Sequence, residues 1–89
     1  MKTIWKYPVP LEDDFTIEMP RGARILSIQT QDFKAMLWAL VDSDGPLRAR
    51  RFVTCGTGNP LNVPQDRLVY IGTYQQMLGA LVWHIFEVT

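Results

Sequence analysis

The chain has 89 residues, nine Lys+Arg against nine Asp+Glu, and a hydrophobic share of 47%. That length gives a single domain over residues 1–89 and excludes a two-domain enzyme with a separate cofactor domain. The apolar content excludes a disordered chain, and the charge balance argues against a nucleic-acid binder, which shows a basic excess or stripe.

One cysteine, Cys55, and one histidine, His84, supply neither an intramolecular disulfide nor a metal-ligand spacing, so no metal and no cofactor are expected. The opening Met1-Lys2-Thr3-Ile4-Trp5-Lys6 lacks the apolar stretch of a signal peptide, and no run has the length of a membrane span. The chain therefore reads as cytosolic, with no membrane partner.

In chain order, the first expected strand runs from Ile4 to Val9, with Trp5 and Tyr7 on one face and Ile4 and Lys6 on the other. Phe15 to Met19 alternates, placing Phe15, Ile17 and Met19 inward and Thr16 and Glu18 outward. Met19-Pro20-Arg21-Gly22 makes a turn, after which Arg24 to Thr30 is a β-branched, apolar segment with Leu26 and Ile28 on one side.

Lys34 to Val41 is apolar on both faces, as in a central strand covered on both sides. Phe33, Met36, Leu37, Leu40 and Val41 also fit helical spacing, which keeps open an α+β fold with one helix near 33–41. After the Asp42–Gly45 turn, Leu47 to Cys55 alternates again, and Leu68 to Tyr74 and Ala80 to Val88 complete the set. About seven short strands punctuated by turns predict an all-β fold, a small antiparallel β-sandwich or barrel.

The most distinctive loop is Gly56-Thr57-Gly58-Asn59-Pro60, where two glycines allow close approach of an anion. It follows Arg48, Arg50 and Arg51, whose guanidinium forks suit phosphate or carboxylate. A regular strand puts Arg48 and Arg50 on one face and Arg51 on the other. Arg48, Arg50, Arg51, Gly56, Thr57, Gly58 and Asn59 thus form the expected ligand site, although the loop lacks a dinucleotide or Walker fingerprint. Trp5, Tyr7, Trp83 and His84 are the expected interface residues. Cys55 and His84 are the only nucleophile and base of a thiol–imidazole type. Nothing in the sequence places them together, and no catalytic residue is assigned.

Several segments together resemble a family of short, uncharacterised proteins of tailed phages and prophages. They are Thr3-Ile4-Trp5-Lys6-Tyr7-Pro8, Ile17-Glu18-Met19-Pro20, Leu37-Trp38-Ala39-Leu40-Val41-Asp42, Gly56-Thr57-Gly58-Asn59-Pro60, Tyr70-Ile71-Gly72-Thr73-Tyr74 and Leu81-Val82-Trp83-His84-Ile85-Phe86-Glu87. The resemblance implies a phage context, the host cytosol as location and an accessory role. The expected function is non-catalytic binding of a host or phage protein, as a homo-oligomer. The alternative is sequestration of a nucleotide or cyclic-nucleotide host defence signal by the Gly56–Pro60 loop and its neighbouring arginines.

Overall fold

A computed structural model describes residues 1–89 as seven antiparallel strands in two sheets. The strands are β1 (Lys2–Pro8), β2 (Asp14–Pro20), β3 (Arg24–Gln31), β4 (Lys34–Asp42), β5 (Leu47–Gly56), β6 (Leu68–Gln76) and β7 (Leu81–Val88). One sheet has the order β1-β4-β3 and the other β2-β5-β7-β6. The molecule is a small antiparallel β-sandwich. The segment that also fitted helical spacing is strand β4, paired on both sides. A lone helix of that length is marginal in water, whereas a central strand gives its N–H and C=O groups ladder partners.

Alternation along the strands decides what lies between the sheets. On β4 the inward residues Ala35, Leu37, Ala39 and Val41 are at most 5% exposed. They join Phe15, Met19, Phe52, Tyr74 and Ile85 of the other sheet in one core cluster. The Phe15 and Phe52 rings stack across β2 and β5 with centroids 5.6 Å apart. Because the side-chain period is two, slipping any strand by one residue would move its whole apolar set to the wrong face.

Leu26 does not share a side with Ile28. The β3–β4 register shifts between Ile25 and Ser27, so Leu26 is a bulged residue and stands 46% exposed, while Ile25 and Ile28 pack inward. A second bulge interrupts β6 between Tyr70 and Gly72. Bulges bend and twist the strand that carries them. Both lie on edge strands, and there β3 and β6 come alongside each other: a Cβ built on Gly72 would stand 3.5 Å from the Ile28 Cβ.

The two outer faces differ. On the four-stranded sheet, register places Val53, Phe86 and Tyr70 in one cross-strand row, and Val88 beside Arg51 and Leu68 in the next. Val53 and Val88 are buried although they belong to no part of the inter-sheet core. The chain between β5 and β6 lies over this face, Leu61 and Val63 lining one hollow with Val53 and another with Leu68, Tyr70 and Phe86. On the three-stranded sheet no segment plays that part. β4 is therefore covered on one face, not on both as its composition suggested, and Met36, Trp38 and Leu40 stay partly exposed.

Candidate functional site

The arginine segment behaves as the alternation predicts, but its charges are already matched. Arg50 points inward and holds Glu87 of β7 through two parallel contacts, Nε to Oε2 at 2.6 Å and Nη2 to Oε1 at 2.7 Å. Its Nη1 also donates to the Ala23 carbonyl, which ties the turn before β3 to β5. The side chains of this pair are 22% and 12% exposed, so the pair is largely removed from water. Glu87 holds the Arg50 guanidinium above its ordinary pKa. Arg51 points to the other face and makes a fork with Asp14, Nε to Oδ1 at 3.0 Å and Nη2 to Oδ2 at 2.6 Å. That contact draws the Asp14 carboxyl below the usual carboxylate range. Arg48 is exposed and donates only to the Leu47 carbonyl.

The Arg50 guanidinium, filled along both edges, can take a phosphate only by displacing Glu87, whereas Arg51 spends only its Nε–Nη2 edge on Asp14. Arg50 is therefore withdrawn from the expected anion site, and Arg51 reaches it already paired to Asp14.

The Gly56–Pro60 loop has a packing role. Gly56 is buried at the end of β5, where a Cβ would stand 2.7 Å from Asn59 Nδ2 and 3.2 Å from Trp83 Cζ3. A hydrogen bond from Asn59 N to Gly56 O at 3.0 Å closes the turn, with Gly58 at φ +86°.

Thr57 continues the β5–β7 ladder through its N–H and offers its hydroxyl to His84, Oγ1 to Nε2 2.6 Å. The other ring nitrogen, Nδ1, meets Thr73 Oγ1 at 3.0 Å, and Thr73 meets the Tyr70 hydroxyl at 2.5 Å. Tyr70, Thr73, His84 and Thr57 thus form a hydrogen-bonded chain over the outer face of the four-stranded sheet. Hydroxyls donate or accept, so either neutral tautomer of His84 is satisfied.

Cys55 is the cross-strand neighbour of His84 on β5. Its Sγ is turned to the carbonyls of Gly56, Asn59 and Pro60, at 3.3 to 3.8 Å, while the ring is held by the two threonines. The topology brings thiol and imidazole together in register, and the hydrogen bonds hold them apart.

Of the expected interface residues, Tyr7 and Trp83 pack against the core, and Trp83 Nε1 donates to Gln76 Oε1 at 3.0 Å. Trp5 faces the same way as Tyr7 but lies on an edge strand and is 37% exposed. Burial raises the pKa of Tyr7 against the opposing pull of Arg50, and the Tyr7 hydroxyl is buried without a hydrogen-bond partner.

The feature that sequence reasoning missed lies at two neighbouring hairpin tips. The β3–β4 turn is Asp32-Phe33, with φ of +51° and +66°, and the β6–β7 turn is Met77-Leu78-Gly79, with φ of +51°, +55° and +89°. Left-handed backbone is ordinary for Gly and costs other L-residues about 1 kcal/mol each. Here four non-glycine residues adopt it.

Three of them are large and apolar, and none is sheltered: Phe33 is 95%, Met77 73% and Leu78 fully exposed. The two tips wall a cleft of about 560 Å³, floored by Thr30, Gln75 and Gln76. The legible signal was a short gap between Thr30 and Lys34 with neither Gly nor Asn, where a two-residue hairpin normally uses one.

The chain is thus a small all-β sandwich that displays apolar side chains at two neighbouring hairpin tips. The chain belongs to a family described as Domain of unknown function (DUF7352), whose family model matches residues 1–89. No curated protein and no solved structure matches it.

Two outcomes follow from the ion pairs. Removing one partner of the largely dehydrated Arg50–Glu87 pair leaves a charge uncompensated. Arg50→Ala or Glu87→Ala should each lower unfolding free energy by about 2–4 kcal/mol, and Arg50→Met/Glu87→Leu by clearly less than the sum, read by urea denaturation.

Asp14 and Asp42 have lowered pKa values, Asp14 through Arg51 and Asp42 through the Asp44 N–H, and so bind fewer protons folded than unfolded. Their contribution is present above the ordinary carboxylate pKa, near 4, and is lost progressively as pH falls below it. The urea midpoint should hold from neutral pH to about pH 5 and then drop, with a shallower drop in Asp14→Asn.

Proposed function

We propose that this domain is a small phage or prophage accessory protein that acts by binding, without chemistry of its own, and assembles as a homo-oligomer through its two hairpin tips. The observation that carries this reading is the exposure of Phe33, Met77 and Leu78 on strained, left-handed turns that bound one cleft. Such residues do nothing for the fold at those positions. Strain held where the core gains nothing from it is a mark of a functional segment.

A second copy suits the patch for two reasons. The tips carry one cation and one anion, Lys34 and Asp32, among uncharged Gln and Thr side chains, so like surfaces meet without repulsion. The chain also has a thin core, a cluster of 12 buried residues, and small domains commonly gain stability by association. The absence of a basic collar sets the patch apart from membrane-inserting loops, which pair apolar side chains with cations. The phage context rests on the sequence resemblance.

Sedimentation velocity tests the assembly. The native chain should sediment as a dimer or larger at tens of micromolar, and Phe33→Ser/Leu78→Ser should be a monomer with unchanged circular dichroism. A native chain that remains monomeric at that concentration removes the reading.

A further inference from the structure

The bare face of the three-stranded sheet carries a second surface, with a different chemistry and independent of the tips. Cross-strand partners share a face, so the outward side of this sheet follows from its register. Ile4, Leu40 and Arg24 form one row, Lys6, Trp38 and Ser27 the next, and Pro8, Met36 and Gln29 a third, with Lys2 beside Asp42 and Lys34 beside Gln31 at the two ends. Met36, Trp38 and Leu40 make a continuous apolar column along β4, widened by Ile4, which is 55% exposed.

Around that column stand three exposed cations, Lys2, Lys6 and Arg24, with Lys34 at the end shared with the β3–β4 tip. None of them takes part in an ion pair, in contrast to Arg50 and Arg51, and Lys6 reaches only the Gln31 side-chain oxygen at 2.8 Å. The single carboxylate on the face, Asp42, is engaged by the Met1 ammonium and the Asp44 N–H. Zero net charge thus leaves a local cationic frame on this sheet, with Asp32 and Asp44 in the turns at the two ends of β4.

We infer that this face docks an acidic amphipathic helix of another protein. A helix laid across one face of an antiparallel sheet is one of the recurrent ways in which a sheet buries an apolar face. The same-face residues of β4 are about 7 Å apart, so the column from Met36 to Leu40 runs about 13 Å. An apolar helix stripe at i, i+4 and i+7 covers about 10 Å, a matching length.

Acidic residues flanking that stripe would meet Lys2 on the β1 side and Arg24 on the β3 side, with Lys6 reaching over β4 toward Gln31 between them. A second copy docked face to face would set these cations against one another, so charge disfavours that occupant. Single-stranded nucleic acid would find the cations but only one stacking aromatic, Trp38, among aliphatic neighbours.

The test uses the full chain and a labelled synthetic helix of about 18 residues, with Leu along one stripe and Glu on both flanks. Its Lys-flanked counterpart and a labelled oligothymidylate serve as comparison probes. Fluorescence anisotropy should show micromolar binding of the Glu helix that weakens with salt, and no binding of the Lys helix. Lys6→Glu/Arg24→Glu, which alters only exposed side chains, should weaken the Glu helix at least tenfold and permit the Lys helix to bind. A Trp38→Thr variant that folds should also lose binding.

The inference fails if the Glu helix does not bind at tens of micromolar, or if the charge-reversed chain binds it equally well. Preferential binding of oligothymidylate overturns it in favour of nucleic acid. Self-association abolished by Lys6→Glu/Arg24→Glu overturns it in favour of a second copy.

Discussion

The structure depends on the packing of one strand. Leu37 and Ala39 of β4 are fully buried, and with Met19, Phe52 and Ile85 they fill the space between the two sheets. Paired on both sides, β4 sets the register of β1 and β3, because a one-residue slip would turn its apolar set out of the core. The alanines at 35 and 39 matter as much as the larger residues, because they let the second sheet approach closely while Phe52 and Met19 fill the gap. The Arg50–Glu87 pair sits at the margin of that core and joins β5, β7 and the turn before β3.

The same strand explains how the two outer faces diverge. The four-stranded sheet is covered by the chain between β5 and β6, and Val53 and Val88 are buried there as a small second core. The three-stranded sheet receives no such cover, and β4 presents its other apolar row to solvent. Contiguous exposed apolar surface is a common mark of interaction sites. The proposed assembly through the tips and the inferred docking of an acidic helix use different surfaces, one neutral and one basic. A single small domain could then join copies of itself to another protein.

Much of the fold was legible because strands and turns were signalled independently. Phe15, Ile17 and Met19 alternate as they should, Pro20 and Gly22 mark the next turn, and all seven strands lie close to their expected bounds. Leu26 was misplaced because a bulge inserts one residue without a composition signal of its own. The two-sided apolar character of β4 was read as two-sided cover, since composition reports what a strand could bury and topology decides what it does bury.

The expected anion site was harder to read. Arg50 and Arg51 looked free only because their partners, Glu87 and Asp14, are distant in sequence and meet them across strand pairings. His84 and Cys55 illustrate the converse, neighbours in register whose contacts go to other groups. The tips escaped notice because Phe33 and Leu78 are apolar residues in left-handed turns, beside the ordinary turn residues Asp32 and Gly79.

The central claim is that the tip residues are kept for association at the expense of the fold. The most direct measurement is the unfolding free energy of Asp32→Asn/Phe33→Gly by urea denaturation, at a concentration dilute enough for the chain to be monomeric. The account predicts a gain of about 1–2 kcal/mol, since Asn-Gly is the favoured pair for a turn with two positive φ angles. A loss of stability would show that Phe33 serves the fold and would contradict the account.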